Sequence, residues 1–431
     1  MTSSAAGEMT GAASAPQKPP VAVLMSRFPT VTETFILREM IEMERQAQPV
    51  RLVPMLRENP PVVHEEAKPW TSRALYTTYI SGGIIAANVK TLLRRPVTYL
   101  SLLARLIAGT ITKPTTLVRT VAIFPKSVFL AQALQREGLK HIHAHYATHP
   151  STMALIISAL SDITFSFTVH AHDIQVDRSL LRWKLRETRF VRSISDYNKR
   201  FLERLYPNET RGGKIIVVHV GIEPSTYEET ARRLVPIASA TQTSIPKILC
   251  VAAHRPYKGL PVLIEACRIL REAGVAFHCD VVGHGPMREE LEQMIRERNL
   301  GDVFNLAGPR PQDEVARMMS EATIFVLPSI IASDGQMEGI PVALMEALAS
   351  GRAVVSTAIS GIPELVEHGV NGLLVQPGDA EALANAMQTL LRDPQRAKEM
   401  GVRGQQKVRA EFTIQDCVAQ LVARLESEVR A

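Results

Sequence analysis

The chain has 431 residues, too many for one ordinary hydrophobic core, so two domains are the expectation. Apolar residues make up 46% and charged residues 21%, the balance of a folded soluble protein. The four cysteines (Cys250, Cys267, Cys279, Cys417) form no CxxC pair, which excludes a zinc knuckle or disulfide framework and fits buried thiols in a reducing compartment. The net charge of +6 is concentrated in one region: between Lys68 and Lys140, eleven basic residues stand against one acid, Glu137.

Residues 1–19, rich in Ala, Ser, Thr, Gly and Pro, read as a disordered leader without the basic start and apolar stretch of a signal peptide. No uninterrupted apolar run approaches the roughly 18 residues that span a bilayer. The first domain, 20–222, opens with a strand at Val21–Met25, a loop, and an amphipathic helix over Glu33–Arg45. Thr30 or Thr32 is placed to cap that helix, and Glu33 or Thr34 to contact a phosphate or an acceptor. Tyr76–Val89 and Pro96–Ile111 are apolar stretches broken by cations without acids, a pattern suited to an anionic membrane surface. Further short apolar runs fall at Ile142–Ala144, Thr164–Val169 and Ile215–Val218. His143-Ala-His145-Tyr looks like a zinc pair but has no third ligand at useful spacing. Thr168-Val-His170-Ala-His172-Asp173 ends one strand and enters a loop, where a histidine either packs or meets a ligand.

Glu223–Pro246, with three prolines and a Ser/Thr-rich stretch, reads as an interdomain linker. The second domain, 247–412, alternates strands and helices more regularly, with strands beginning near Lys247, Phe277, Val303, Thr323, Ala353 and Leu373. A last helix, 413–431, is placed to cross back to the first domain. The fold expected is α/β, with two Rossmann-like doubly wound domains whose strand carboxyl ends face a central cleft.

Three motifs of the second half carry chemistry. Glu338-Gly-Ile-Pro-Val-Ala-Leu-Met-Glu346 puts one carboxylate in a loop and another on the helix that follows, with Pro341 in its first turn and Gly351 as its stop. Free N–H groups near Gly339 and Ile340 would make an anion site. Val251-Ala-Ala-His-Arg255-Pro-Tyr-Lys258-Gly follows a strand and offers two cations to a pyrophosphate. Gly283-His-Gly-Pro, after the next strand, would let backbone approach a nucleotide; alone it is a weak signal.

Met337–Gly351, with Ser360-Gly-Ile-Pro-Glu-Leu-Val366 and Gly372-Leu-Leu-Val-Gln-Pro-Gly378, resembles the retaining GT-B glycosyltransferases of family 4, nearest to those that assemble colanic acid and other exopolysaccharides. The resemblance spans about residues 20–425 and is sharpest over 250–380. It implies that Glu338 contacts the donor sugar, Glu346 the ribose, and Lys258 the pyrophosphate. Gly308 would lie among backbone contacts to the base, and Pro341 beside the donor. His170 would meet the donor sugar, while Glu33, Thr34, His145 and Asp173 would lie on the acceptor side. The family arginine five residues before the lysine is Ala253 here, and Arg255 is the candidate substitute.

The implied reaction transfers a sugar from a nucleotide-sugar donor to a lipid-linked or growing saccharide acceptor. It would need no metal or other cofactor and no nucleic acid, and would take place in the cytoplasm at the inner face of the membrane. A nucleotide-sugar epimerase of similar fold and a silent membrane scaffold are the alternatives, and the donor base stays open between UDP and GDP.

Overall fold

A computed structural model describes residues 18–30, 34–60, 63–238 and 245–430; Thr32, Glu33, most of the expected leader and residues 239–244 lie outside that set. Two six-stranded parallel sheets organise the chain. The first contains β1 (Val21–Phe28), β2 (Val50–Arg57), β3 (His141–His145), β4 (Thr164–Val169), β5 (Val191–Ser193) and β6 (Ile215–Val217), in the order β2-β1-β3-β4-β5-β6. The second contains β7 (Lys247–Val251), β8 (His278–Val282), β9 (Phe304–Gly308), β10 (Ile324–Leu327), β11 (Ala353–Thr357) and β12 (Gly372–Val375), in the order β12-β11-β10-β7-β8-β9. In each sheet the strand order reverses beside the first strand, and helices cover both faces. Such sheets bind ligands at the carboxyl ends of their strands, next to that reversal.

The expected linker is a helix over most of its length. Pro224–Ala238 is helical, Tyr227 on it is buried, and it packs on the Gln312–Glu321 and Val342–Ala349 helices. Pro224 stands at its first position, where a missing N–H costs nothing, and Tyr227 and Ala231, one turn apart, are both buried. The Ile414–Arg430 helix returns to the first sheet and lies against the Thr34–Arg45 helix, adding Val418, Leu421 and Leu425 to the core below β1.

Among the described residues one helix, Pro114–Arg136, is long and apolar enough to cross a membrane, at a mean hydropathy of 1.4. Averaging hides Arg119 and Lys126, which is why no uninterrupted run shows in the sequence. Half of that stretch is buried, with Ile123, Phe124, Val128, Leu130 and Leu134 in the core of the first half.

The two halves meet backbone to backbone. A Cβ on Gly339 would stand 2.5 Å from the His170 carbonyl and 2.7 Å from Ile194 Cδ1. Beside that contact, Glu364 of the second half caps a helix of the first. Its two oxygens accept from the Asp196 and Tyr197 N–H groups, each at 2.9 Å, and His219 Nε2 lies 3.2 Å away. These amides open the Asp196–Leu205 helix, where a carboxylate satisfies orphan donors and meets the positive end of the dipole. Burial alone would raise the Glu364 carboxyl pKa, but His219 and the two amides outweigh it and hold it below the usual range. Its contribution is therefore present above the ordinary glutamate pKa of about 4.3 and is lost as pH falls through the depressed value. Glu364→Ala is expected to lower stability by about 1–2 kcal/mol, as for loss of a helix cap. The gap between urea melts of the two proteins should narrow as pH falls below about 4.3.

Candidate functional site

A cavity of about 560 Å³ lies between the sheets at their strand carboxyl ends. Phe35, Tyr146 and His170 line it from the first half; Arg255, Lys258 and the Gln336–Ala343 segment line it from the second. Thus His170, Arg255, Lys258, Glu338, Gly339, Ile340 and Pro341, scattered over 172 positions of sequence, share one wall system. Lys258 Nζ pairs with Glu338 Oε1, and both side chains are largely buried. Burial alone would lower the Lys258 pKa; the neighbouring carboxylate outweighs it, and the ammonium is held above its ordinary range. Arg255 lines the same cavity, exposed and without an acidic partner among the described residues.

Pro341 is the N-cap of the Val342–Ala349 helix rather than a member of its first turn, so the segment from Glu338 to Pro341 is loop. Gly351, at φ 72°, ends the helix as its sequence position suggests. Glu346 lies one turn into the helix, away from the lining of this cavity, with Oε1 accepting a 2.5 Å hydrogen bond from Tyr227 Oη. Tyr227 Oη in turn accepts from Gln312 Nε2 at 3.0 Å, and Gln312 Oε1 accepts from Arg38. This chain ties Glu346 to the first half across a second groove of about 580 Å³ that Arg38, Tyr227 and Gln312 line. None of these three residues stood out in the sequence. Tyr227 was hidden inside what reads as a linker.

Five of the other expected site residues lie outside the cavity wall. Asp173 is buried, and its carboxylate is saturated by the N–H groups of Ala147 (2.7 Å), His170 and Ala171 (both 2.9 Å). It fixes the loop that presents His170. His145 is also buried, behind His170. Thr34 begins the first helix and is not part of the cavity wall; its neighbour Phe35 is. Gly283 serves its own loop: a Cβ there would fall 2.0 Å from the Ala252 carbonyl, so close passage over β7 requires glycine. Gly308 has φ 74° and open space around it, at the end of β9 outside the cavity wall. Glu33 lies outside the described residues.

The histidines of β3 form a buried ladder. His141, His143 and His145 alternate to one face of the strand, as period two requires, opposite Thr164, Ser166 and Thr168 of β4. His141 contacts Thr164 and Ser166 hydroxyls at 2.7 Å, and His143 contacts Ser166 at 2.8 Å and Thr168 at 2.7 Å. Of the zinc-like pair, His143 therefore has both ring nitrogens engaged within the sheet. At the cleft end, His145 Nδ1 lies 3.5 Å from His170 Nε2 and its Nε2 3.4 Å from Glu39 Oε1, while Glu39 Oε2 pairs with buried Arg192. Tyr146 and Phe35 rings flank His170 at centroid distances of 4.4 and 5.3 Å.

Burial pushes His141 down to about 3 and His145 to about 4, the latter against the pull of Glu39. His143 and His170 are held well below the usual range, first by burial and then by neighbouring cations and imidazoles. His170 therefore meets the cleft as a neutral ring that donates and accepts hydrogen bonds, and the positive charge of the cavity comes from Arg255 and Lys258.

Two doubly wound parallel sheets facing a polar cleft define the GT-B fold. HepE of Anabaena in complex with UDP superposes with a TM-score of 0.66 at 16% identity, covering 95% of this chain and all (100%) of that one. Sucrose-phosphate synthase of Thermosynechococcus elongatus gives 0.68 at 18%, covering 95% and 99%. Residues 237–407 match the family Glycosyl transferases group 1. In sequence the chain is similar to the amylovoran biosynthesis glycosyltransferase AmsK of Erwinia amylovora, 42% identical over 213 residues, 49% of this chain and 51% of AmsK. The chain spans about half the length of the curated relatives it matches.

Four histidines kept neutral in the fold but free to protonate when unfolded make stability fall with pH. The loss should begin near pH 6.5 and continue to about pH 4, at up to about 1.4 kcal/mol per pH unit per histidine. Urea melts between pH 7 and 4.5 should show this slope, and His141→Gln with His143→Gln should flatten it.

Proposed function

We propose that the protein is a glycosyltransferase of family 4 type that moves a sugar from a nucleotide-sugar donor to a lipid-linked or growing saccharide acceptor, with retention at the anomeric carbon. The observation that carries this reading is the meeting of Arg255, the Lys258–Glu338 pair and neutral His170 in one interdomain cavity. The names of AmsK and of the UDP complex of HepE support the same class of donor and pathway.

In this reading Arg255, Lys258 and the N–H groups near Gly339 hold the pyrophosphate and stabilise its charge as it departs. Glu338 and His170 hydrogen-bond the sugar, and Glu346, with Oε1 already held by Tyr227, turns its other oxygen to the ribose. The bond from C1 to the phosphate oxygen breaks, and the acceptor oxygen bonds to C1 on the same face. The acceptor proton passes to the departing phosphate, so the protein supplies position and charge rather than a dedicated base. Two side-chain cations do the work a divalent ion does elsewhere, and turnover is proposed to need no metal.

The acceptor would be reached at an anionic membrane surface on the cytoplasmic side. The Gly82–Arg94 and Pro96–Thr110 helices each bury one stripe in the first half and leave a second apolar stripe exposed: Ile85, Val89 and Leu93 on one, Val97, Leu100 and Ile107 on the other. No acid occurs from Ala67 to Arg136.

Product analysis by NMR with a nucleotide-sugar panel tests the chemistry. A product with the donor's anomeric configuration is expected, insensitive to EDTA. Glu338→Gln should lower kcat by about 10²–10³-fold, the size of losing one group aimed at developing charge. An inverted product, or full activity in Glu338→Gln, would contradict the assignment.

A further inference from the structure

The outward stripes described above converge at the corner where the Gly82–Arg94 helix turns into the Pro96–Thr110 helix. There a crevice of about 300 Å³ opens, with Lys90, Arg94, Arg95 and Arg136 on its walls. None of these four cations has an acidic partner among the described residues. The nearest fixed contacts are to carbonyls: Arg95 reaches Leu160 O at 3.5 Å, and Arg136 Nε donates to Gln132 O at 3.1 Å. Four cations without counter-ions around one concavity are a site for an anion.

What lies beside the crevice names the source of that anion. Leu93 and Val97 bracket Arg94 and Arg95 and are among the most exposed large apolar side chains, at 76% and 79%. Val97, Leu100, Ile107 and Ile111 continue from this corner along one exposed side of the Pro96–Thr110 helix, over roughly 20 Å at 1.5 Å per residue. The far end of that stripe reaches Lys113, which pairs with Asp177 at 2.9 Å in the segment beyond the carboxyl end of β4, the end that faces the cleft. A soluble phosphate needs no apolar rim. A bilayer supplies both parts at once: phosphate for the crevice and an acyl boundary for Leu93, Val97 and the stripe.

We propose that the crevice formed by Lys90, Arg94, Arg95 and Arg136 binds the headgroup phosphate of an anionic glycerophospholipid. It thereby orients the chain with the 96–110 helix along the membrane. This inference rests on the membrane reading given above and adds a discrete site to it.

Vesicle co-sedimentation with the full chain tests it, using phosphatidylcholine alone and phosphatidylcholine with phosphatidylglycerol. Arg94→Gln/Arg136→Gln alters the crevice; Arg119→Gln/Lys140→Gln removes the same charge from exposed positions outside it. At about fivefold per basic residue near an anionic surface, the crevice pair should weaken binding by about 20-fold or more. The control pair should lose less than fivefold, and nucleotide binding should be unchanged in both. Equal losses in the two pairs would mean diffuse charge only and would overturn the site while leaving membrane attachment standing. Failure of the unaltered chain to bind either vesicle would overturn both. Inorganic phosphate that binds the crevice tightly, with no preference for anionic vesicles, would overturn the lipid assignment. Thermal melting of each variant shows that it is folded.

Discussion

Everything at the cleft depends on how closely two backbones pass. Gly339 lies so near the His170 carbonyl that a single methyl group would not fit between them. That contact brings the Glu338 carboxylate, on a loop of one half, within a cavity's width of a histidine anchored in the other. Gly361, a neighbour of Gly339 in space, repeats the constraint: a Cβ there would meet Ser195 Cβ at 2.8 Å. Glu364 then fastens the same seam by capping a helix across it. Glycines and a shared cap make the closed arrangement a property of the seam itself.

With the halves closed, electrostatics inside follow from burial. Lys258 keeps its charge despite burial because the Glu338 carboxylate supplies the counter-charge beside it. His143 and His170 feel no carboxylate's pull and are neutral, and at His145 burial outweighs the pull of Glu39. The outcome is a division of labour in the cavity, with two permanent cations, one carboxylate and one uncharged imidazole. On the far side, Glu346 is held through Tyr227 and Gln312 to Arg38, so a residue read as a ligand for a nucleotide is also a strut between the halves. Whatever engages Glu346 is thereby coupled to the position of the first helix.

Much of the second half was legible in the sequence. Its strands are short apolar runs bounded by Gly, Pro and polar residues, and the six observed strands begin within one residue of where the pattern places them. The first half was harder, for physical reasons. β2 is an edge strand, where Pro54 costs no ladder bond, and its arginines at both ends mask the apolar centre. β5 is three residues long with Arg192 in its middle, a cation that makes sense only once Glu39 is seen beside it. His143 and His145 look like a zinc pair because sequence spacing reveals neither the hydroxyls of β4 beside His143 nor Glu39 beside His145. Asp173 and Gly283 each hold their own loop, a role that a linear motif does not separate from a contact aimed at a ligand.

The account stands on the cleft being a nucleotide site built around Lys258. Calorimetric titration of UDP and GDP into the wild-type chain and Lys258→Met measures that directly. Binding of one nucleotide, weakened at least tenfold by the substitution as expected for loss of a charge-assisted contact of about 1.5–3 kcal/mol, is the predicted result. Binding of neither, or equal binding by the two folded proteins, would contradict it.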